Sequence, residues 1–165
     1  MKNTLMLASG LAVLALGAGT AFAGGSEGSV GVGAEYQLRG LGGLSANYDM
    51  GQFHVGGFLG FADDGGNDDT DVDLGARFYF HLHSTAMSDF GIGGSFGVGF
   101  RGDGNPDTEN ATIVHIEPGL QLRAFVASNV ALSFTAGITL ATADDDGLAI
   151  TGQATGGAGV HYYFF

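Results

Sequence analysis

The sequence predicts an all-β protein: an eight-stranded antiparallel up-and-down transmembrane β-barrel, preceded by a signal-peptide helix. Three observations predict it. Apolar and polar residues alternate with period two along most of the chain after residue 23, acidic connections alternate with short ones, and the chain ends in a cluster of aromatic residues. No later apolar run is long enough for a spanning helix, so a membrane crossing must be made of strands.

The first 23 residues have the pattern of a secretory signal peptide. Lys2 supplies the positive start, residues 5–16 form an apolar stretch, and Ala21-Phe22-Ala23 gives a small-x-small cleavage site. An N-terminal membrane helix fits less well, because the apolar run is short and is followed by Ala and Gly. We therefore expect cleavage after Ala23, export of the protein, and a single barrel domain over residues 24–165.

Eight segments alternate between apolar and polar positions. We place strands near residues 29–39, 43–50, 52–62, 71–83, 90–101, 111–126, 130–142 and 148–164. In the clearest of them, residues 71–83, every even-numbered residue is apolar and most odd-numbered ones are polar. Most segments reach the length of about 9–11 residues that a tilted strand needs to cross a bilayer.

The connections between these segments fall into two classes. Strands two, four and six are followed by short links, at residues 49–51, 84–89 and 127–129. Strands three, five and seven are followed by acidic loops, at residues 63–70, 102–110 and 144–147. An up-and-down meander sends alternate connections to opposite ends, so the acidic loops share one end, as the outer loops of a membrane barrel do. The first loop of that end, residues 40–42, is unusually short.

A soluble barrel of the lipocalin type also has eight alternating strands, with its apolar face inside. The composition of the polar face separates the two. On a soluble protein that face would be about a quarter to a third charged, whereas here it is mostly Gly, Ser, Thr and Gln, and the only lysine is Lys2. Small residues suit the narrow interior of an eight-stranded barrel. The pattern therefore favours a polar interior and a lipid-facing apolar exterior.

Charge and cysteine content exclude several kinds of partner. The net charge is −12 and becomes −13 when Lys2 is removed with the signal peptide, which argues against a nucleic-acid partner. It also argues against binding an anionic lipid surface unless cations bridge the two. The absence of cysteine excludes disulfides and thiolate chemistry.

The C-terminus carries an aromatic signature. Its last four residues are Tyr162, Tyr163, Phe164 and Phe165. They resemble the terminal strand signature of bacterial outer-membrane barrels, whose assembly machinery reads an aromatic last residue, and this resemblance marks them as a C-terminal assembly signal. The apolar positions of this strand are even-numbered, whereas the family signature counts from the last residue, Phe165, which is odd-numbered. Either a bulge intervenes or Phe164 takes that role.

With the signal peptide and the eight strands, residues 24–165 resemble the OmpA-transmembrane/OmpX-like family of small barrels, in architecture and terminal signature. The resemblance implies insertion into the outer membrane of a Gram-negative bacterium and a chiefly structural, adhesive or surface-interaction role. The expected partners are outer-membrane lipid, lipopolysaccharide and the barrel-assembly machinery, the last through the C-terminal strand. We expect a monomer and no reaction.

Several ionisable residues lie on the polar face. Four charged ones are in mid-strand: Glu35, Arg77, Glu117 and Arg123. Inside a narrow lumen of low dielectric these charges must be paired, so we predict a salt-bridge network that fills the lumen. The same face carries His54, Asp73, His81, His115 and His161. The alternative, suggested by the resemblance to the OmpA type, is a gate whose rearrangement opens a narrow porin-like channel.

The acidic loops are candidates for weak Ca²⁺ or Mg²⁺ binding, since hard carboxylates suit these ions. The residues concerned are Asp63, Asp64, Asp68, Asp69, Asp144, Asp145 and Asp146. No segment has the EF-hand spacing, so solvated, mutually repulsive loops are the simpler interpretation. Otherwise the sequence indicates no cofactor and no definite metal site.

A lipid A-modifying enzyme is a third hypothesis, because such a barrel needs a serine, a histidine and an orienting acid within reach. The candidates are His81 and His83 beside Ser84, and His115 beside Glu117. These histidines simply follow the polar phase of their strands, so we predict that the protein is not an enzyme.

Overall fold

The computed structural model describes residues 26–37, 42–63, 70–102, 111–143 and 147–164, without the side chains of residues 143 and 147–153. It contains eight strands: β1 (Val30–Gln37), β2 (Gly43–Asp49), β3 (Phe53–Asp63), β4 (Thr70–Ser84), β5 (Ser88–Arg101), β6 (Ala111–Ala127), β7 (Val130–Ala143) and β8 (Gly147–Phe164). The predicted fold class is confirmed, and the predicted bounds differ from these by two residues or fewer. The predicted signal peptide lies outside the described residues.

The strands form a closed barrel in which each strand pairs with the next and β8 returns to β1. All pairs are antiparallel, and the closing pair runs from Val30 opposite Phe164 to Gln37 opposite Gly157. The connections after β2, β4 and β6 therefore lie at one end, called here the turn end. The last residues of β1, β3, β5 and β7 lie at the other end, called the loop end. No helix within the described ranges is long and apolar enough to cross a bilayer.

Polar and apolar residues are distributed over the two faces of the barrel wall in the reverse of the arrangement in a soluble protein. Inward residues are polar and buried: Asp49, His54 and Asp73 have 0% of their surface exposed. Outward residues are apolar and exposed, up to 64% for Phe61 and 70% for Leu44. Burying one such side chain is worth about 1.5–3 kcal/mol. A continuous band of them on all eight strands would cost on the order of tens of kcal/mol in water, so the barrel requires an apolar surrounding.

The last strand keeps its alternation to the end of the described chain. Phe164 faces outward and is 55% exposed, whereas Tyr163 faces inward and is 1% exposed. The pairing of β8 with β1 runs without a register shift, and the shift in its pairing with β7 lies near the loop end, between Thr139 and Ala141. Phe164 is thus the outward aromatic residue here, and no bulge separates it from the even-numbered apolar positions.

Glycines leave room for large side chains in the narrow interior. A Cβ added at Gly75 would overlap the ring of Phe58 and the carbonyl oxygen of Phe96, and one added at Gly97 would overlap the His115 ring. Absence of a side chain at one position therefore accommodates an aromatic ring from a neighbouring strand.

Candidate functional site

The lumen holds its charges in separate groups along the barrel. At the turn end Arg123 binds Asp49 and Asp89, and farther along Arg77 binds Glu35. Glu117 is held by hydroxyl groups. The interior is therefore filled by polar side chains rather than by one continuous network.

The turn-end group, which we call the Arg123 cluster, is almost completely buried. The Arg123 guanidinium donates to both carboxylate oxygens of Asp49, from Nη1 at 2.9 Å and Nη2 at 2.7 Å. Nη2 also donates to Asp89 at 2.7 Å, and Nη1 to the Tyr163 hydroxyl at 2.9 Å. Arg123 is 1% exposed, Asp49 0% and Asp89 4%. Such a charge-assisted, bidentate arrangement fixes the guanidinium in one geometry.

Strand register brings the members of this cluster together. Asp89 of β5 lies directly opposite Arg123 of β6, and Asp49 is the last residue of β2. Two aromatic rings support the guanidinium, whose central carbon lies 5.6 Å from the ring centre of Phe125 and 5.8 Å from that of Tyr163. Both distances are within the range of cation–π attraction.

Two histidines adjoin the Arg123 cluster. His54 of β3 lies directly opposite Asp49 of β2, and its Nδ1 is 2.8 Å from Nε2 of His81. The other nitrogen of His81, Nδ1, is 3.0 Å from the carbonyl oxygen of Gly51, in the tight turn after β2. Because a carbonyl only accepts, Nδ1 of His81 carries a proton and donates it, which leaves Nε2 of the neutral ring as an acceptor. His54 therefore donates from its Nδ1 to Nε2 of His81. Nη2 of Arg123 also lies 3.3 Å from Nε2 of His81.

The central group is the ion pair of Arg77 and Glu35. Gln37 donates to the other oxygen of Glu35 at 3.0 Å, and the Arg77 guanidinium lies 5.5 Å from the ring centre of Phe58. The side chains of Arg77 and Glu35 are 7% and 6% exposed. This pair is therefore buried inside the barrel, beside the ring of Phe58.

Glu117 accepts hydrogen bonds from three hydroxyls, those of Ser95 at 3.0 Å, Thr139 at 2.9 Å and Thr155 at 3.0 Å. Among the residues that the structure describes, no arginine or histidine lies within salt-bridge distance of it. A cavity of about 40 Å³ is lined by Glu117 and by the Arg77–Glu35 pair. Such a polar space is large enough for roughly two or three water molecules.

A further ion pair lies near the loop end. Nη2 of Arg101 is 2.8 Å from both carboxylate oxygens of Asp73, and Nε is 3.9 Å from Asp71. The Arg101 side chain is 26% exposed. This pair is therefore more open to solvent than the Arg123 cluster and the Arg77–Glu35 pair.

The predicted four-residue network is divided in the structure. Arg77 meets Glu35, but Arg123 binds Asp49 and Asp89 instead of Glu117. Glu117 and Arg123 are on the same strand, six residues apart, which is roughly 20 Å at about 3.3 Å per residue. Side chains that far apart do not pair directly, and the described ion pairs instead join Arg77 to Glu35 and Arg123 to Asp49 and Asp89.

Asp49 and Asp89 were missed because the sequence analysis placed them in the short links, where acids are ordinary. Extending the period-two pattern would have found both. Asp49 continues the inward, odd-numbered positions of Ser45 and Asn47, and Asp89 starts those of β5. The signal was present at the strand ends: Asp49 is within the predicted strand 43–50 as well as in the link 49–51, and Asp89 comes one residue before the predicted strand 90–101.

The serine–histidine candidates are separated in the structure. His81 is bound in the turn-end group, His83 is exposed, and Ser84 donates to Asp89. His115 stacks on Phe58 with ring centres 6.5 Å apart. These side chains form no serine–histidine hydrogen bond.

A different serine does meet a histidine. Ser45 Oγ lies 2.6 Å from Nε2 of His161, and both residues are buried. Within the described ranges no carboxylate is hydrogen-bonded to the other nitrogen of His161. The pair thus lacks the orienting acid of a triad.

The remaining predicted residues are only partly described. Asp63 ends β3 opposite Thr70 and is exposed, whereas Asp64, Asp68, Asp69, Asp144, Asp145 and Asp146 lie outside the described residues. Of the C-terminal set, Tyr162 and Phe164 are on the outward face and Tyr163 is in the Arg123 cluster. Phe165 lies outside the described residues.

No family model matches this chain, and no curated protein sequence is significantly similar to it. Its structure is similar to that of the N-terminal β-barrel domain of Pseudomonas aeruginosa OprF, with a TM-score of 0.59 and 15% identity, over 84% of this chain and 98% of that one. It also aligns with Ail, the attachment invasion locus protein of Yersinia pestis, with a TM-score of 0.45 and 15% identity, over 84% of this chain and 100% of that one. The resemblance to small eight-stranded outer-membrane barrels is thus confirmed at the level of the fold.

Proposed function

We propose that this protein spans the outer membrane of a Gram-negative bacterium and has a structural or surface-interaction role. The observation that carries the proposal is the reversed distribution of residues: Asp49, His54 and Arg123 are buried in the lumen, whereas Phe61 and Leu44 are exposed on the outside. A closed barrel with an apolar exterior satisfies every backbone hydrogen bond within a bilayer. The fold shared with the OprF domain supports this assignment.

The closed lumen supports a structural role rather than wide transport. The Arg123 cluster and the Arg77–Glu35 pair lie across the interior as buried groups. Surface interactions then belong to the loop end, where the acidic segments lie. Divalent cations bound there would bridge to the phosphates of lipopolysaccharide, since the chain's own charge repels anionic lipid. The barrel would insert as a monomer through the assembly machinery, with β8 as the recognised strand.

Membrane fractionation with a heat-modifiability gel tests the assignment. We expect the protein in the outer-membrane fraction, and a shift in its mobility after boiling, because a closed barrel keeps its compact form in detergent until heated. A band in the soluble periplasmic fraction that does not shift on boiling would refute it. Charge-removing Asp→Asn changes at residues 144–146 test the loops. They should reduce divalent-dependent binding of lipopolysaccharide to the purified protein without altering the gel shift.

A narrow gated channel is the second candidate, and the cavity between Glu117 and the Arg77–Glu35 pair favours it. That space is polar and wide enough for water, and the Arg77–Glu35 ion pair lines it. Conductance in a planar bilayer separates the candidates. Silence supports the structural role, whereas small openings that change in Arg77→Ala, but not in the control Arg101→Ala at the loop end, support a gate.

A further inference from the structure

Histidine and aspartate side chains lie close together at the turn end. Asp49, His54 and His81 each offer one ligand atom, and these atoms all lie within 4.8 Å of one another. The Nδ1 of His54 and the Nε2 of His81 are already 2.8 Å apart. Two nitrogens that bind one ion at about 2.0–2.1 Å are separated by roughly 3 Å or slightly more. A small adjustment would therefore place both imidazoles around a common ion.

The hydrogen bonds of His81 are those of a histidine held ready to bind a metal. Its Nδ1 donates to the backbone carbonyl of Gly51 at 3.0 Å, which fixes the tautomer and directs the lone pair of Nε2 into the cluster. Metal-binding histidines almost always donate their second nitrogen in this way. His54 is fully buried, and its Nε2 has no hydrogen-bond partner among the described residues. When Nδ1 of His54 binds the ion, the ring proton is carried by Nε2, which no described group occupies.

The charge of the cluster also favours a cation. Arg123 supplies one positive charge to two carboxylates, those of Asp49 and Asp89. Within the described part of the chain, no second cationic group forms a salt bridge with either carboxylate. One negative charge is thus not balanced by a described cationic group in a buried site, where it is costly. A carboxylate has about four acceptor positions, so Asp49 retains free lone pairs beside those that Arg123 uses.

We propose that Asp49, His54 and His81 bind a divalent transition-metal ion of the Zn²⁺, Co²⁺ or Cu²⁺ class at the turn end of the lumen. Two imidazoles and one carboxylate are a ligand set that suits these ions and not Ca²⁺ or Mg²⁺. His81 is half-exposed, so the ion enters past its ring from the solvent at that end. Arg123 keeps its ion pair with Asp89, and Asp49 contacts both Arg123 and the metal ion. This inference rests on the lumen geometry alone and is independent of the proposed surface role.

Titration of the purified protein with Zn²⁺ in excess Ca²⁺ tests the site, because excess Ca²⁺ would compete for any oxygen-only site in the acidic loops. We expect one Zn²⁺ per chain. His81→Ala should weaken binding by at least about tenfold, since even loss of a supporting hydrogen bond costs metal sites that much. His83→Ala on the same strand and His115→Ala elsewhere in the lumen are matched controls and should bind as the wild type does. Equal affinity in His81→Ala, or an equal loss in either control, would overturn the proposal.

A spectroscopic measurement keeps the test valid if His81→Ala fails to fold. The electron paramagnetic resonance spectrum of Cu²⁺ bound to the wild-type protein should show hyperfine coupling to two imidazole nitrogens. A spectrum with oxygen ligands alone would overturn the proposal, because it would place the ion in the acidic loops.

Discussion

Replacing Arg123 with methionine tests the charge arrangement at the turn end directly. Arg123 is 1% exposed and binds two carboxylates that are themselves 0% and 4% exposed. Methionine preserves much of the side-chain length but leaves Asp49 and Asp89 facing each other without a counter-charge. Removing one partner of a buried ion pair typically costs about 3–5 kcal/mol. We therefore expect the free energy of unfolding to fall by about 3–5 kcal/mol.

Equilibrium unfolding in urea, with the barrel in lipid vesicles, measures this change through the gel shift or circular dichroism. Arg101→Met is the comparison: the Arg101 side chain is 26% exposed although its partner Asp73 is 0% exposed, and because solvent screens one of the two charges we expect a smaller loss than for Arg123→Met. The combined variant with Asp49→Asn and Asp89→Asn should recover most of the loss, since no buried charge is then left alone.

Two results would refute this reasoning. The first is a loss for Arg123→Met no larger than that for Arg101→Met. The second is a combined variant no more stable than Arg123→Met alone, which would mean that packing against the aromatic rings, and not charge, accounts for the effect.

Four further substitutions test the interior and the lipid-facing surface by the same unfolding measurement. Gly75→Val should cost about 1–3 kcal/mol by overpacking against Phe58, and Phe58→Ala should relieve part of that loss; additive losses would contradict the contact. Phe96→Arg places a charge on the lipid-facing surface and should cost about 2–4 kcal/mol near mid-bilayer, so an unchanged stability would argue against a bilayer around β5. Glu117→Gln should raise the free energy of unfolding, because it removes a half-buried charge with no described counter-ion while retaining an oxygen acceptor. A marked loss would indicate that the carboxylate has a cationic partner.

The fold could be read from the sequence because the two sides of a barrel wall differ so strongly. Every second residue meets either lipid or the lumen, so strands such as β4 show an uninterrupted apolar series from Val72 to Leu82. The same alternation continues into Phe164, which decided the question of the terminal bulge once the pairing of β8 was known. The local pattern was sufficient here because the alternation within each strand shows which residues face the lumen and which face outward.

The pairing of charges could not be read in the same way. The period-two alternation shows that Glu35, Arg77, Glu117 and Arg123 face inward, but it does not show where each residue lies along the barrel axis. That position depends on the register between strands and on the stagger that accumulates around the ring. Asp89 meets Arg123 because β5 and β6 pair in one particular register, and that register follows from the whole barrel rather than from any segment.

The pairing of β1 with β8 has a consequence for the timing of assembly. The first strand of the barrel finds its second partner only in β8, so the ring cannot close until both strands are present. Until then Val30–Gln37 presents an open edge, which is prone to pair with other chains. The unclosed chain therefore needs protection from such pairing until β1 and β8 meet.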